Sequence, residues 1–149
     1  MSMDEVVIAE NALVQESDIG ARTVVGPFAD IRDSVIGVDC VFEHAQVKRC
    51  VIGDRVKAKH YCYLGDAELG DDVNIGAGVV IANQNPLDRS KNKTYIGPRS
   101  SIGANATIVA PVSIGSDCVI AAGSVITQDV PDGHIAFARV QDQVHKPRK

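Results

Sequence analysis

The stretch "IGPRSSIGANATIVAPVSIGSDCVIAAGSVI", residues 96–126, has an isoleucine at every sixth position: Ile96, Ile102, Ile108, Ile114, Ile120 and Ile126. A period of six fits neither the 3.6 of an α-helix nor plain strand alternation, and short-period self-similarity is the mark of a solenoid. Elsewhere the repeat is carried by aliphatic–Gly pairs that begin at Ile19, Val25, Ile36, Ile52, Leu64, Leu69, Ile75, Ile96, Ile102 and Ile114. A few residues of strand, then a tight corner, with three such sides per coil, turn this period into an all-β solenoid, a parallel β-helix. The aliphatic residue at i points inward. The second inward position is expected at i+4, where Thr23, Val35, Cys40, Cys62, Val79, Ala106 and Cys118 are small or β-branched. Gln46 and Glu68 break this rule, which implies irregular coils or a partner surface there.

With 149 residues, 45 % hydrophobic and 23 % charged, the chain reads as a single domain over 1–149. Aromatic residues make up 4 % and Trp is absent, so the core is expected to be layered Ile, Val and Ala. A net charge of −4 lacks the basic excess of a general nucleic-acid binder. No apolar run approaches the ~18 residues of a membrane span, and "MSMDEVVIAE" lacks a signal-peptide pattern; a cytoplasmic protein that engages no membrane is expected. Cys40, Cys50, Cys62 and Cys118 form no CxxC, and His44, His60, His134 and His145 fall in scattered phases, so no metal site is expected. The cysteines read as small buried hydrophobes.

Between Ile81 and Ile96 the period is broken by "ANQNPLDRSKNKTY", the composition of one extruded loop near residues 82–95. After Val130 the tail is expected to leave the repeat. Coils stack about 4.8 Å apart, so residues in the same phase of successive coils become neighbours. With Phe42, Ala58 and Ile75 as successive inward residues, His44, His60 and Ala77 form one outward column. His60 therefore faces solvent or a ligand. Arg32 and Lys48 are sixteen residues apart, close to one coil, and should stack as either a solvated basic face or an anion site. Arg89, Lys91 and Lys93 add positive charge on the loop.

The segment Tyr63–Gly78, "YLGDAELGDDVNIGAG", followed by Asn83, "KNKTYIG" at Lys91–Gly97, "IVAPVSIG" and "ARV", closely resembles the C-terminal acetyltransferase domain of the bifunctional bacterial N-acetylglucosamine-1-phosphate uridyltransferase/glucosamine-1-phosphate acetyltransferases. The resemblance runs from about Val25 to Arg139. It implies a left-handed β-helix and a homotrimer with active sites between subunits. The implied reaction moves acetyl from acetyl-CoA, a cosubstrate, to the amine of glucosamine 1-phosphate. The same resemblance puts the general base on His60, the sugar-phosphate ligands on Arg32 and Lys48, sugar contacts on Tyr63 and Asn74, and a loop cation on Lys91. Asn83 falls near the acetyl group and substrate, and Ala77, Ala104, Ala122 and Arg139 fall on the acetyl-CoA side. The chemistry is coherent: an imidazole can take the ammonium proton, and a backbone N–H near Ala77 can hold the developing oxyanion.

The chain departs from that family around the ligand. No uridyltransferase domain is expected. After Asn83 the family's Tyr-Asp-Gly is replaced by "QNPLDRS", with Gln84 in the Tyr position. Gln46 stands for a Glu, Ala104 for a Ser, and the short tail has no Trp. Two further readings stay open: the same chemistry on another amino sugar or a nucleotide-linked amino sugar, and a catalytically silent trimeric scaffold.

Overall fold

The computed structural model describes residues 4–148, which are strands, turns and bends without an α-helix. They wind as a left-handed parallel β-helix with three parallel sheets of eight, seven and six strands. The first sheet runs from Val7–Ile8 to Ile135–Ala136, the second from Leu13–Gln15 to Val125–Ile126, and the third from Asp18–Ile19 to Val112–Ile114.

The six-residue period is the side of this triangle. Ile96, Ile102, Ile108, Ile114, Ile120 and Ile126 are all buried, and each pairs in register with its counterpart one coil on: Ile96 with Ile114, Ile102 with Ile120, Ile108 with Ile126. The result is stacked layers of aliphatic side chains. Glycine is required where coil backbones approach most closely: a Cβ on Gly76 would stand 2.7 Å from both the Ala104 nitrogen and the Ile102 oxygen.

The sides come in two lengths, which corrects the i+4 rule. Ile31 to Ile36, Phe42 to Val47, Val47 to Ile52 and Leu64 to Leu69 are five-residue steps, and there the second inward residue is at i+3: Ser34, Ala45, Cys50 and Ala67 are buried. Val35, expected inside, is 50 % exposed for this reason. Gln46 and Glu68 point outward in regular strands and mark no irregular coil. Cys50 joins Cys40, Cys62 and Cys118 in the interior, where burial pushes the Cys50 and Cys62 thiols up to about 11. Phe42, fully buried, is the only aromatic in the core among the described residues, and it stacks between Val25 and Ala58.

Two boundaries move. Ala82 and Thr94 belong to strands, so the loop spans 83–93. The repeat continues past Val130, since Ile135–Ala136 pairs with Val119–Ile120 and the Val125 N–H reaches the Ala138 carbonyl at 3.0 Å. The tail leaves the helix only after that point.

One column was not read from the sequence. Arg22, Asp39, Arg55, Asp72, Arg99 and Asp117 all sit at left-handed corner positions, one per coil, between the third and first sheets. Arg22 forks Asp39, Arg55 forks Asp72 and Arg99 forks Asp117, each through bonds of 2.8 Å and 3.0–3.1 Å. The partner guanidinium holds each of these carboxyls below the usual carboxylate range. Stacking like on like would repel, so alternation suits this column.

Candidate active site

The corner between the first and second sheets in the fourth coil is unusual. His60 and Tyr61 both have φ of 63°, the only adjacent left-handed residues among those described. Such conformations cost about 1–3 kcal/mol each in a bulky residue and concentrate at functional sites. The imidazole of His60 is exposed and makes no hydrogen bond among the described residues. Its carbonyl accepts the Gly78 N–H at 2.9 Å, which fixes the backbone beneath the ring. The Lys59–Glu43 ion pair, at 3.7 Å, flanks it.

His60 stands beside Ala77 as expected, but His44 does not share that column. The corner from Phe42 to Ala45 is one residue shorter than the one from Ala58 to Cys62, so His44 shifts by one position. Its N–H reaches the Pro27 carbonyl at 2.9 Å, and its ring packs between Phe28 (5.3 Å) and Tyr61 (4.8 Å).

Above His60 the same phase holds Ala77, Ala104 and Ala122 in successive coils, by the register Ala58–Ile75–Ile102–Ile120. Three rung spacings separate His60 from Ala122, roughly 14 Å. The N–H groups of these three alanines make no hydrogen bond among the described residues; Ala77 and Ala122 are exposed and Ala104 is half-buried. At its far end the Arg139 Nη1 donates to the Ala122 carbonyl at 2.7 Å, and the guanidinium lies over the Phe137 ring. The structure thus brings His60, Ala77, Ala104, Ala122 and Arg139 onto one edge.

The second sheet carries the cations. Arg32 and Lys48 are register partners, with Gly65 next in the column. Arg32 is forked by its own Asp30 at 2.7 and 3.0 Å, while Lys48 forms no ion pair among the described residues. Lys48 is therefore the less neutralised of the two. Tyr63 lies on the same face, one coil above Gln46, which donates to Asp30 at 3.4 Å. Asn74 does not join them: it lies on the outer face of the first sheet between Lys57 and Ser101, around the corner. Lys91 donates to Gln84 Oε1 at 2.8 Å across an antiparallel bridge at the root of the loop.

Sequence reasoning missed Arg49 and Asp66. Arg49 forks Asp66 at 2.7 and 3.0 Å, and Asp66 Oδ2 accepts the Asn83 Nδ2 at 2.6 Å. The Arg49 guanidinium holds the Asp66 carboxyl below the carboxylate range, helped by the Asn83 amide and the charge of Lys91. The available signal was spacing, because Arg49 and Asp66 are seventeen residues, one coil, apart.

Comparison with known proteins agrees with this architecture. The bacterial transferase hexapeptide pattern (six repeats) matches residues 49–83 and 93–128. The chain is 45 % identical over 142 residues to the bifunctional protein GlmU of Synechococcus elongatus, covering 94 % of this chain and 31 % of the relative. It is 46 % identical over 142 residues to the bifunctional protein GlmU of Clostridium kluyveri, with 94 % and 30 % covered. The chain thus spans about a third of the length of these relatives. Among solved structures, the acetyltransferase domain of PglB from Neisseria gonorrhoeae in complex with acetyl coenzyme A superposes with a TM-score of 0.57 at 25 % identity, covering 87 % of this chain and 53 % of that one. UDP-N-acetylglucosamine acyltransferase from Campylobacter jejuni shares the fold, with a TM-score of 0.66 at 20 % identity over 89 % of this chain and 69 % of that one.

Proposed function

The chain carries the repeats of the bacterial transferase hexapeptide family, and from that premise we propose that it is an acetyl-CoA-dependent N-acetyltransferase acting on an amino-sugar phosphate, glucosamine 1-phosphate. The observation that carries the reading is the edge on which His60, left-handed beside a left-handed Tyr61, meets a strip of free alanine N–H groups ending at Arg139. Such a strip suits the extended amide-bearing arm of coenzyme A, with its thioester end at His60 and Ala77.

In this reading His60 accepts the proton as the amine attacks the thioester carbonyl, and the Ala77 N–H binds the resulting oxyanion. Collapse expels the thiol, reprotonated from His60. Lys48 holds the phosphate, with Arg32 shared between it and Asp30. Tyr63 and Asn74 contact the sugar, Asn74 from a neighbouring copy, and Asn83 lies near the acetyl group and the substrate.

The split between faces supports a trimer. Arg32, Lys48 and Tyr63 lie on the second sheet and Asn74 on the first, so one convex coil does not enclose a sugar. A neighbouring copy supplies the other wall. Acetyl-CoA and sugar phosphates place this reaction in the cytoplasm. A different amino-sugar acceptor is the second reading, favoured by Gln84, which occupies Lys91 within the loop at 2.8 Å.

The test follows thiol release from acetyl-CoA with glucosamine 1-phosphate, for wild type and His60→Ala. Acceptor-dependent release that falls by about 100-fold in the variant is expected. Release that ignores His60, or silence across a panel of amino sugars, overturns the reading.

A further inference from the structure

Asn83 stands where the second sheet gives way to the loop, and it is 5 % exposed. Its main-chain carbonyl accepts the Asn92 N–H at 2.8 Å, which ties the two ends of the loop together. Its side-chain nitrogen serves two acceptors, Asp66 Oδ2 at 2.6 Å and the Tyr63 hydroxyl oxygen at 3.4 Å. An ionised carboxylate only accepts, so the amide must turn its NH2 toward Asp66. Arg49 holds that carboxylate in place with a two-bond fork.

Two consequences follow for the atoms left over. Asn83 Oδ1 has no partner among the described residues, so a nearly buried side chain presents a bare acceptor. Tyr63, whose oxygen already accepts from Asn83, has its own O–H proton free to donate elsewhere. Gly65 makes room for this arrangement, because a Cβ there would stand 2.6 Å from the Tyr63 hydroxyl and collide with the Asn83 amide.

We propose that Arg49 and Asp66 are positioning residues that set the hydrogen-bond polarity of the acceptor site, making Asn83 an acceptor and leaving the Tyr63 hydroxyl proton to donate. The inference rests on the acyltransferase reading for its substrate. The matching acceptor offers an N–H or O–H to Asn83 and a hydroxyl or phosphate oxygen to Tyr63, as an amino sugar does with adjacent substituents. A thioester oxygen, which only accepts, does not fit Asn83 Oδ1. Asn83 is thereby assigned to the amino-sugar side rather than the acyl side.

The experiment pairs kinetics with a readout that needs no turnover. In Asp66→Asn the neighbour can donate as well as accept, so the Asn83 amide is free to flip. The KM for the amino-sugar acceptor should rise by about tenfold or more, with the KM for acetyl-CoA unchanged. Tyr63→Phe should raise the same constant, and combining it with Asp66→Asn should add little further. Independently, the Asn83 side-chain NH2 protons should be protected from solvent exchange in wild type, observed by 15N NMR, and lose that protection in Asp66→Asn. Free exchange in wild type overturns the clamp, as does equal protection in a folded Asp66→Asn variant. If that variant does not fold, the wild-type exchange alone decides. Wild-type silence toward all acceptors would sink the acyltransferase reading while leaving the exchange test intact.

Discussion

The packing of Phe42 against Ala58 gives a sharp test of the coil register. Both point inward, they are register partners, and Phe42 is fully buried. Phe42→Ala loses about 2 kcal/mol of transfer free energy. A residual cavity of roughly 80 Å³ at 24 cal/mol per Å3 adds about 2 more, for a total near 4 kcal/mol. Ala58→Phe alone forces a second ring into the same layer and costs about 1–3 kcal/mol or more. If the Phe42 ring fills the space above the Ala58 methyl, exchanging the two residues conserves the volume. The double variant should then lie within about 1.5 kcal/mol of wild type, a coupling of several kcal/mol between the sites. Urea unfolding at fixed protomer concentration measures this, as a midpoint shift at constant slope. A double variant that loses the sum of the two single costs refutes the stacking argument.

Further outcomes follow from the same structure. The Cys50 and Cys62 thiols, raised from 9.0 to about 11 by burial, stay neutral while an unfolded chain ionises, so stability is intact below about pH 8.5 and falls as pH rises toward 11. The slope should approach about 1.4 kcal/mol per pH unit for each thiol; a Cys50→Ala variant with undiminished alkaline slope would contradict this. Asp39, Asp72 and Asp117 have depressed pKa values, so their contribution holds above about pH 4 and is lost as pH falls through the lower folded values. Arg55→Asp should lower the thermal midpoint, and adding Asp72→Arg should not restore it, because position 55 then sets a carboxylate beside Asp39 and position 72 a guanidinium beside Arg99; full recovery in the double variant would mean the ladder acts only as isolated pairs. Gly65→Ala should leave the far-UV spectrum unchanged and raise the acceptor KM by about tenfold or more, as its methyl group displaces Tyr63 and Asn83.

The repeat, the inward aliphatic column and the pairing of Arg32 with Lys48 were legible in the sequence because the solenoid writes its period directly into residue spacing; the second inward column was legible only on the six-residue sides, since a five-residue side turns Val35 outward and Ser34 inward. His60 beside Ala77 followed from the same counting. His44 did not, since one residue fewer in its corner moved it to the Phe28 and Tyr61 column. The Arg–Asp ladder was hidden for a related reason: the loop stretches the spacing between Asp72 and Arg99 to twenty-seven residues, although they occupy successive coils.

The sequence by itself determined the aliphatic column that lies inside, because burial selects aliphatic side chains at each step of the coil and tight corners demand glycine or a left-handed residue. Only the tertiary structure decided which outward groups meet. Each neighbour across coils depends on the summed lengths of three sides and three corners, and a change of one residue in any of them redirects a side chain. Asp66 reaches Asn83 across a coil at 2.6 Å through such a sum, and the polarity of the candidate site depends on that contact.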